Sequence, residues 1–147
     1  LDYELVHRMK GLFPNLHISI NGGITSLDQA EAFLDAGLDG VMIGRSAYHN
    51  PTDILAQADR RIYGTGADAT PEDVVAQMLP YIDAHIDGGG KLNQITRHMM
   101  GLFAGRTGAR VWRRTLSEQA SRPGADRQVL LEALDAMQTL AEAQEAV

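Results

Sequence analysis

The stretch "ISINGGITSLDQAEAFLDAGLDGVMIGRSAYHNP", residues 18–51, decides how the first half of the chain folds. Two short apolar runs, "HISI" and "DGVMIG", each end at glycine, and a helix-like segment lies between them. That segment follows Ser26, a natural N-cap, and one of its faces is apolar: Leu27, Ala30, Phe33 and Leu34. A strand, a helix and a second strand in this order imply parallel strands, because the helix returns the chain to its starting end. We therefore predict strands over residues 16–20 and 39–43.

Both apolar runs lead into glycine turns of a kind that can bind phosphate. Glycine permits backbone angles that aim N–H groups outward, and it lets an anion come close. Taken alone, the turn Asn21-Gly22-Gly23 is more often a simple tight connection. A second turn, Gly44-Arg45, follows the next parallel strand. In an eight-stranded barrel the loops after strands seven and eight commonly share one phosphate, so we predict a split phosphate cup made of these five residues. Arg45 adds a fixed charge to the cup, and a plain surface arginine is the alternative.

The remainder of the chain is predicted to be helical. One helix covers residues 2–12, and another begins at Asn50-Pro51 and runs to about Tyr63. Beyond "YGTGADA", a cap and an acidic first turn at residues 70–73 open a helix that Pro80 should kink. Three further apolar stripes predict helices around residues 92–103, 111–116 and 126–140. The expected fold class is therefore α/β over residues 1–65, followed by an all-α helical bundle over residues 66–147.

Composition excludes several classes of function. The 147 residues include no cysteine, so disulfides, thiolate metal sites and a cysteine nucleophile are absent from this chain. The five histidines form no metal-binding pattern such as H-E-x-x-H, and we expect no metal. No apolar run approaches the length of a membrane span, and a cytoplasmic setting is consistent with this composition. Because Leu1 already lies in a helical pattern, we expect a piece of a longer protein.

Positive charge is concentrated in one part of an acidic chain. The net charge is −6, but six cations lie between Lys91 and Arg114, and no acid occurs between Lys91 and Glu118. Such asymmetry indicates a local anionic partner. Arg110, Arg113 and Arg114 share one helical side, whereas Trp112 is better interpreted as core than as a base-stacking group. The candidate RNA-binding residues are Lys91, Arg97, His98, Arg110, Arg113 and Arg114.

Residues 19–51, followed by "ITRHMMGLFAGRTGARVWRRTLSE" at residues 95–118, closely resemble the C-terminal part of the tRNA-dihydrouridine synthases, subgroup A. The resemblance implies strands seven and eight of an FMN-binding TIM barrel, followed by a helical tRNA-binding domain. It implies reduction of uridine to dihydrouridine in the tRNA D-loop, with NADPH reducing the flavin. By the same resemblance, Asn21, Gly22 and Gly23 match the first flavin-phosphate turn, and Gly44 and Arg45 match the second.

The catalytic residues of that family have no counterpart in this chain. Its catalytic cysteine, and the lysine and histidine that contact the flavin, lie upstream of the matched region. The resemblance thus implies a parent that is a monomeric oxidoreductase and a chain that is inactive alone. Two other hypotheses stay open: another phosphate-binding or FMN-binding barrel enzyme that acts on a small metabolite, and a non-catalytic RNA-binding module. The basic stretch favours an RNA-binding protein over the metabolite enzyme.

Overall fold

The structure, a computed structural model, describes residues 1–145. The chain forms one compact unit over Leu1–Asp68 and a second that begins at Ala69. The sequence placed the boundary after residue 65. The roles given to the two parts, flavin binding and tRNA binding, stay predictions.

Unit 1 contains the expected parallel β–α–β arrangement. Its elements are α1 (Tyr3–Leu12), β1 (Ser19–Asn21), α2 (Leu27–Asp35), β2 (Gly40–Met42), α3 (Arg45–His49), α4 (Pro51–Ile54) and α5 (Ala58–Tyr63). The strands β1 and β2 are parallel, and Ile20 pairs with Val41 at the centre of the register. Both strands are shorter than predicted: β1 begins three residues later and ends one residue further on, and β2 lacks one residue at each end.

Local signals in the sequence fix the ends of α2. The Ser26 hydroxyl accepts a hydrogen bond from the backbone N–H of Gln29 at 3.2 Å, as expected of an N-cap. At the other end Gly37 has a φ of 91°, a left-handed conformation that glycine adopts without strain. The predicted start and stop of this helix are both confirmed.

The helix predicted from Asn50-Pro51 to about Tyr63 begins where expected, with Asn50 as the N-cap, but it is not continuous. The residues up to Tyr63 form two short helices, α4 and α5, and a further short helix, α3, precedes them from Arg45. Proline disfavours helical geometry in the residue before it, and Asn50 accordingly leaves the helix with φ −131° and ψ 64°. A second break lies between α4 and α5. Ile54, at the end of α4, is buried, and Arg61 on α5 contacts Glu31 on α2. Tertiary contacts of this kind override local helix propensity.

A partly exposed ion pair ties the start of β2 to the segment before β1. Lys10 Nζ lies 2.6 Å from Asp39 Oδ2 and also donates to the carbonyls of Pro14 and Leu16. Asp39 accepts a second hydrogen bond, from the backbone N–H of Ile18 at 2.8 Å. The Ile18 N–H, and then the Lys10 ammonium, hold the pKa of the Asp39 carboxyl below its ordinary value.

The stability of unit 1 is expected to depend on pH through Asp39. A carboxyl whose pKa is lowered by folding stabilises the protein above its unfolded-state pKa, and this contribution disappears as the pH falls through the folded-state pKa. We expect Asp39→Asn to lower the midpoint of urea unfolding at pH 7 and to change it little near pH 2.5. Asp35→Asn, at an exposed carboxylate without such contacts, is the control. An equal loss at both pH values for Asp39→Asn would contradict the assignment.

Unit 2 is helical, as predicted. Its elements are α6 (Pro71–Asp87), α7 (Asn93–Thr96), α8 (Ala109–Gln119) and α9 (Gln128–Glu145). Helix α6 begins with a reciprocal capping box between Thr70 and Asp73. It continues as one helix through Pro80. The core of this unit is centred on Trp112 and Phe103, whose rings meet edge to face at 4.8 Å.

The helix predicted over residues 92–103 is also wrong, although its apolar stripe is buried as expected. Only the four residues of α7 are α-helical, and successive turns follow, as in the bond from Leu102 N to Met99 O at 3.1 Å. The Trp112 indole N–H also donates to the Met99 carbonyl, at 2.9 Å. Residues three or four apart can share a face in turns as well as in a helix, so the apolar spacing did not distinguish the two.

Candidate phosphate cleft and basic helix face

The two glycine turns meet in one cleft of unit 1. The cleft has a volume of about 530 Å³, and all five residues of the predicted cup line it: Asn21, Gly22, Gly23, Gly44 and Arg45. The structure therefore brings together residues that lie more than twenty positions apart in the sequence. Their role in binding phosphate stays a prediction, now with a defined geometry.

The first turn requires glycine at two consecutive positions. Gly22 has a φ of 115° and Gly23 a φ of 65°, a region that other residues rarely adopt. A Cβ on Gly22 would lie 2.7 Å from a Leu1 methyl carbon, and one on Gly23 would lie 3.2 Å from the Tyr3 hydroxyl. That hydroxyl donates to the Gly22 carbonyl at 2.5 Å and so holds the turn from the side of α1.

The second turn is open above its backbone and carries a free charge. A Cβ on Gly44 would meet nothing within 4 Å, so a ligand can approach the chain there. Arg45 is exposed and forms no ion pair with any residue in the described range 1–145. All of its N–H groups can therefore donate hydrogen bonds to an anion.

Several residues of the cleft were missed by the sequence interpretation. Thr25, Ser46, His49 and Asn50 also line it. His49 follows Arg45 by four residues on α3, so helical spacing could have identified it once α3 was recognised. No aspartate or glutamate is among the lining residues, which makes the cleft suitable for an anion.

An ion-pair cluster fixes the helix that follows the first turn. Arg61 on α5 contacts Glu31 at 2.6 Å and Asp28 at 2.5 Å, both on α2. The hydrogen bonds from Arg61 lower the pKa of the Glu31 carboxyl, and those to Glu31 and Asp28 raise the pKa of the Arg61 guanidinium. It connects α5 to α2 and thereby supports the turn at Gly22 and Gly23.

The arginines predicted to share one helical side do so on α8. Arg110, Arg113 and Arg114 are all exposed, whereas Trp112 and Leu116 are buried on the opposite face. The interpretation of Trp112 as core is confirmed, since its side chain is 0% exposed. We call Arg110, Arg113 and Arg114 the arginine face.

The other predicted RNA-binding residues lie outside α8. Lys91, Arg97 and His98 are exposed in the turns on either side of α7, and Arg97 Nε donates to His98 Nε2 at 2.9 Å. One of the six cations between Lys91 and Arg114 does have an acid close to it in the structure. Arg106 lies 2.8 Å from Glu72, because the fold brings the first turn of α6 beside residues distant in sequence.

The described part of the chain lacks two other features, a group of metal ligands and a membrane-spanning helix. No three histidine, aspartate or glutamate side chains there are grouped so that they could hold a metal ion. No helix in residues 1–145 has the length and hydropathy needed to cross a membrane.

The fold therefore combines an α/β unit, whose cleft joins two glycine turns and an arginine with no ion pair among residues 1–145, with a helical unit that exposes the arginine face on α8. The chain belongs to the dihydrouridine synthase family, whose model matches residues 1–142. The resemblance found from the motifs is thereby confirmed.

Individual relatives support the same assignment. The chain is 54% identical over 140 residues to the tRNA-dihydrouridine(20/20a) synthase of Shewanella oneidensis. The matched residues make up 95% of this chain and 41% of that relative. The chain is 54% identical over 135 residues to the synthase of Escherichia coli K12, covering 91% of this chain and 39% of the relative. The corresponding protein of Vibrio parahaemolyticus is 46% identical over 135 residues, with 91% and 41% covered. The chain thus spans about two fifths of the length of these relatives.

Proposed function

We propose that the chain is the part of a tRNA-dihydrouridine synthase that binds the FMN phosphate and the tRNA. The observation that carries this proposal is the convergence of both glycine turns and the unpaired Arg45 in one cleft, in a chain of this family. In this proposal β1 and β2 are the seventh and eighth strands of a TIM barrel, the position where such barrels commonly bind phosphate. The whole protein reduces uridine in the tRNA D-loop, and NADPH reduces the flavin.

The residues of the cleft fit the phosphate of FMN. The left-handed glycines allow close approach of a phosphate to the backbone, the space above Gly44 is open, and Arg45 offers a planar set of donors. Ser46 and Asn50 add further groups that can hydrogen-bond to phosphate oxygens. FMN held in this way would supply the hydride for reduction of the uracil ring.

The residues of this chain bind and orient rather than transfer protons. The resemblance assigns the proton donor to a cysteine, and the 147 residues contain none. In the proposed enzyme the phosphate cleft fixes one end of the flavin, while the arginine face contacts phosphates of the tRNA. We propose that the chain alone is catalytically inactive for this reason.

A chimeric enzyme tests the proposal. This chain would replace the matching segment of the Escherichia coli relative, with which it shares 54% identity over 135 residues. We expect the chimera to retain FMN and to restore dihydrouridine to the tRNA of a strain that lacks this relative, as measured by mass spectrometry of tRNA nucleosides. A folded chimera that neither retains flavin nor forms dihydrouridine would contradict the proposal.

The 147-residue chain by itself is expected to bind FMN only weakly, with a dissociation constant of about 10 μM or higher. The cleft offers contacts to the phosphate, and the isoalloxazine ring requires contacts that the proposal places in the remainder of a barrel. Fluorescence titration with FMN measures the affinity, and riboflavin, which lacks the phosphate, is the control and should not bind. Submicromolar binding of FMN, or equal binding of both flavins, would contradict this prediction.

A further inference from the structure

A second cleft lies in unit 2 beside the C-terminal end of α8. It has a volume of about 390 Å³, within the usual range of small-ligand sites. One wall comes from the turn into α7, with Lys91 and Asn93, and the other comes from the loop after α8, with Ser121 and Arg122. Apolar side chains such as Ile86 complete it. None of the residues assigned above to the phosphate cleft or to the arginine face takes part.

The cleft is positively charged. Lys91 and Arg122 are exposed, and neither forms an ion pair with another residue in the described part of the chain. The lining residues include no aspartate or glutamate. By contrast, Arg106 and Arg127 in the same unit are each paired with a carboxylate. Two unpaired cations facing one concave surface favour an anionic ligand.

The amide of Asn93 gives the cleft a second chemical feature. Its Nδ2 donates to the Ser121 hydroxyl at 3.3 Å, which is a long contact. Its Oδ1 is buried and has no hydrogen-bond partner among residues 1–145. Buried amide oxygens are normally paired, so this acceptor lacks a donor, and rotation of the Asn93 side chain toward the cleft would let a ligand hydroxyl supply one. An anion that also carries hydroxyl groups matches both features.

We propose that this cleft binds one unpaired ribonucleotide of an RNA strand. Lys91 and Arg122 contact its phosphate, and the Asn93 amide together with the Ser121 hydroxyl contacts the ribose hydroxyls. The 2′-hydroxyl is the group by which a protein distinguishes RNA from DNA. The inference rests on the proposed tRNA-binding role of unit 2 and adds to it a site that selects ribose.

The position of the cleft favours an RNA strand over a free metabolite. Helix α8 contains 11 residues and is therefore about 16 Å long. Arg110 and Arg113 lie in its first half, and Arg122 follows its end, so a strand of a few nucleotides can reach both. Phosphate contacts fix a strand in position, and contacts to an unpaired nucleotide add selectivity.

Binding of nucleotides to the 147-residue chain tests the site directly. Uridine 5′-monophosphate and its 2′-deoxy analogue would be titrated while backbone amide NMR signals are followed. We expect the ribonucleotide to shift the signals of residues 90–93 and of residues 121, 122 and 124, with an affinity severalfold higher than that of the deoxy analogue. Arg122→Gln should weaken binding about tenfold, whereas Arg127→Gln, at an arginine paired with Asp83, should not. Absence of shifts in these two segments would overturn the proposal.

A second variant separates ribose selection from folding. Asn93→Leu keeps the approximate volume and removes the unpaired acceptor, so the melting temperature should stay the same or rise. The preference for the ribonucleotide over the deoxynucleotide should then disappear. A stable variant that keeps the full preference would exclude Asn93 from ribose contact and overturn that part of the proposal.

Measurements with tRNA distinguish this inference from the proposed function. Lys91→Gln with Arg122→Gln should reduce the slope of log affinity against log salt by about 0.7 for each phosphate that the variant no longer binds. If the unaltered chain binds tRNA but this double variant has the same affinity and slope, the inference fails and the proposed function stands. If tRNA does not bind while the ribonucleotide does, the proposed function fails and the cleft is a site for free nucleotides. That second result also overturns the assignment to an RNA strand.

Discussion

Replacing Arg110 and Arg113 together with glutamine is expected to lower the affinity of the chain for tRNA about twentyfold at physiological salt. Both side chains are exposed on the arginine face, and the helix they belong to is held from the other side by Trp112 and Leu116. The loss of charge should therefore leave the fold intact. Each phosphate contact contributes about 0.7 to 0.9 to the slope of log affinity against log salt. The double variant should reduce that slope by roughly 1.4 to 1.8 units.

The control for this experiment removes the same number of charges from unit 2. Arg106 and Arg127 are paired with Glu72 and Asp83, at 2.8 Å and 2.9 Å, so their charge is already compensated locally. Their double replacement by glutamine should change the slope much less, and exposed pairs of this kind contribute little to stability. Binding isotherms at four or five salt concentrations decide the matter. If both double variants keep the slope of the unaltered chain, the arginine face is a solvated surface.

Replacing Arg45 with alanine in the chimeric enzyme is expected to lower its affinity for FMN about ten- to hundredfold. A charged donor to a phosphate is worth more than a neutral one, and Arg45 is the side chain of the cleft that carries a permanent charge. The fold should be unaffected, because Arg45 is exposed and has no partner within residues 1–145. Flavin content after dialysis measures the loss, and a melting curve with saturating FMN checks the fold.

A matched variant separates a local effect from a change in net charge. Arg8 on α1 is exposed, lies in the same unit and is not among the residues that line the cleft. Arg8→Ala should leave flavin content unchanged. Unchanged flavin content in the Arg45→Ala enzyme as well would remove Arg45 from the proposed site and leave the backbone of the glycine turns, with Ser46 and Asn50, as its anion-binding groups.

Sequence patterns predicted those parts of the fold that depend on neighbouring residues. The Ser26 cap, the helix stop at Gly37 and the Thr70 cap with its acidic first turn each depend on residues only a few positions apart. Local hydrogen bonds of this kind are determined by residue type and spacing. The same patterns failed between residues 45 and 63 and between residues 97 and 103. In the second segment the Met99 carbonyl accepts a hydrogen bond from the indole N–H of Trp112, which lies 13 positions further along the chain.

In the candidate site, too, features set by neighbouring residues were predicted and features set by tertiary contacts were not. The residue types of both glycine turns were visible in the sequence, and their placement after consecutive parallel strands predicted that they would approach each other. His49 was missed because α3 was not predicted. Of the second cleft, the sequence indicated only Lys91, as a candidate RNA-binding residue. The approach of Asn93 to Ser121 could not be predicted, since the two are 28 positions apart and no motif connects them.

The sequence by itself determined the family, the parallel strand–helix–strand unit, the glycine turns and the three arginines that share a side of α8. These depend on residue identity and on fixed periodicities of helix and strand. The tertiary structure alone decided which charges are free. It pairs Arg106 with Glu72 and Arg61 with Glu31 and Asp28, and it leaves Arg45 and Arg122 without an ion pair in the described residues. The physical reason is that an ion pair depends on distance in space, and residues far apart in sequence come within about 4 Å only when the chain is packed.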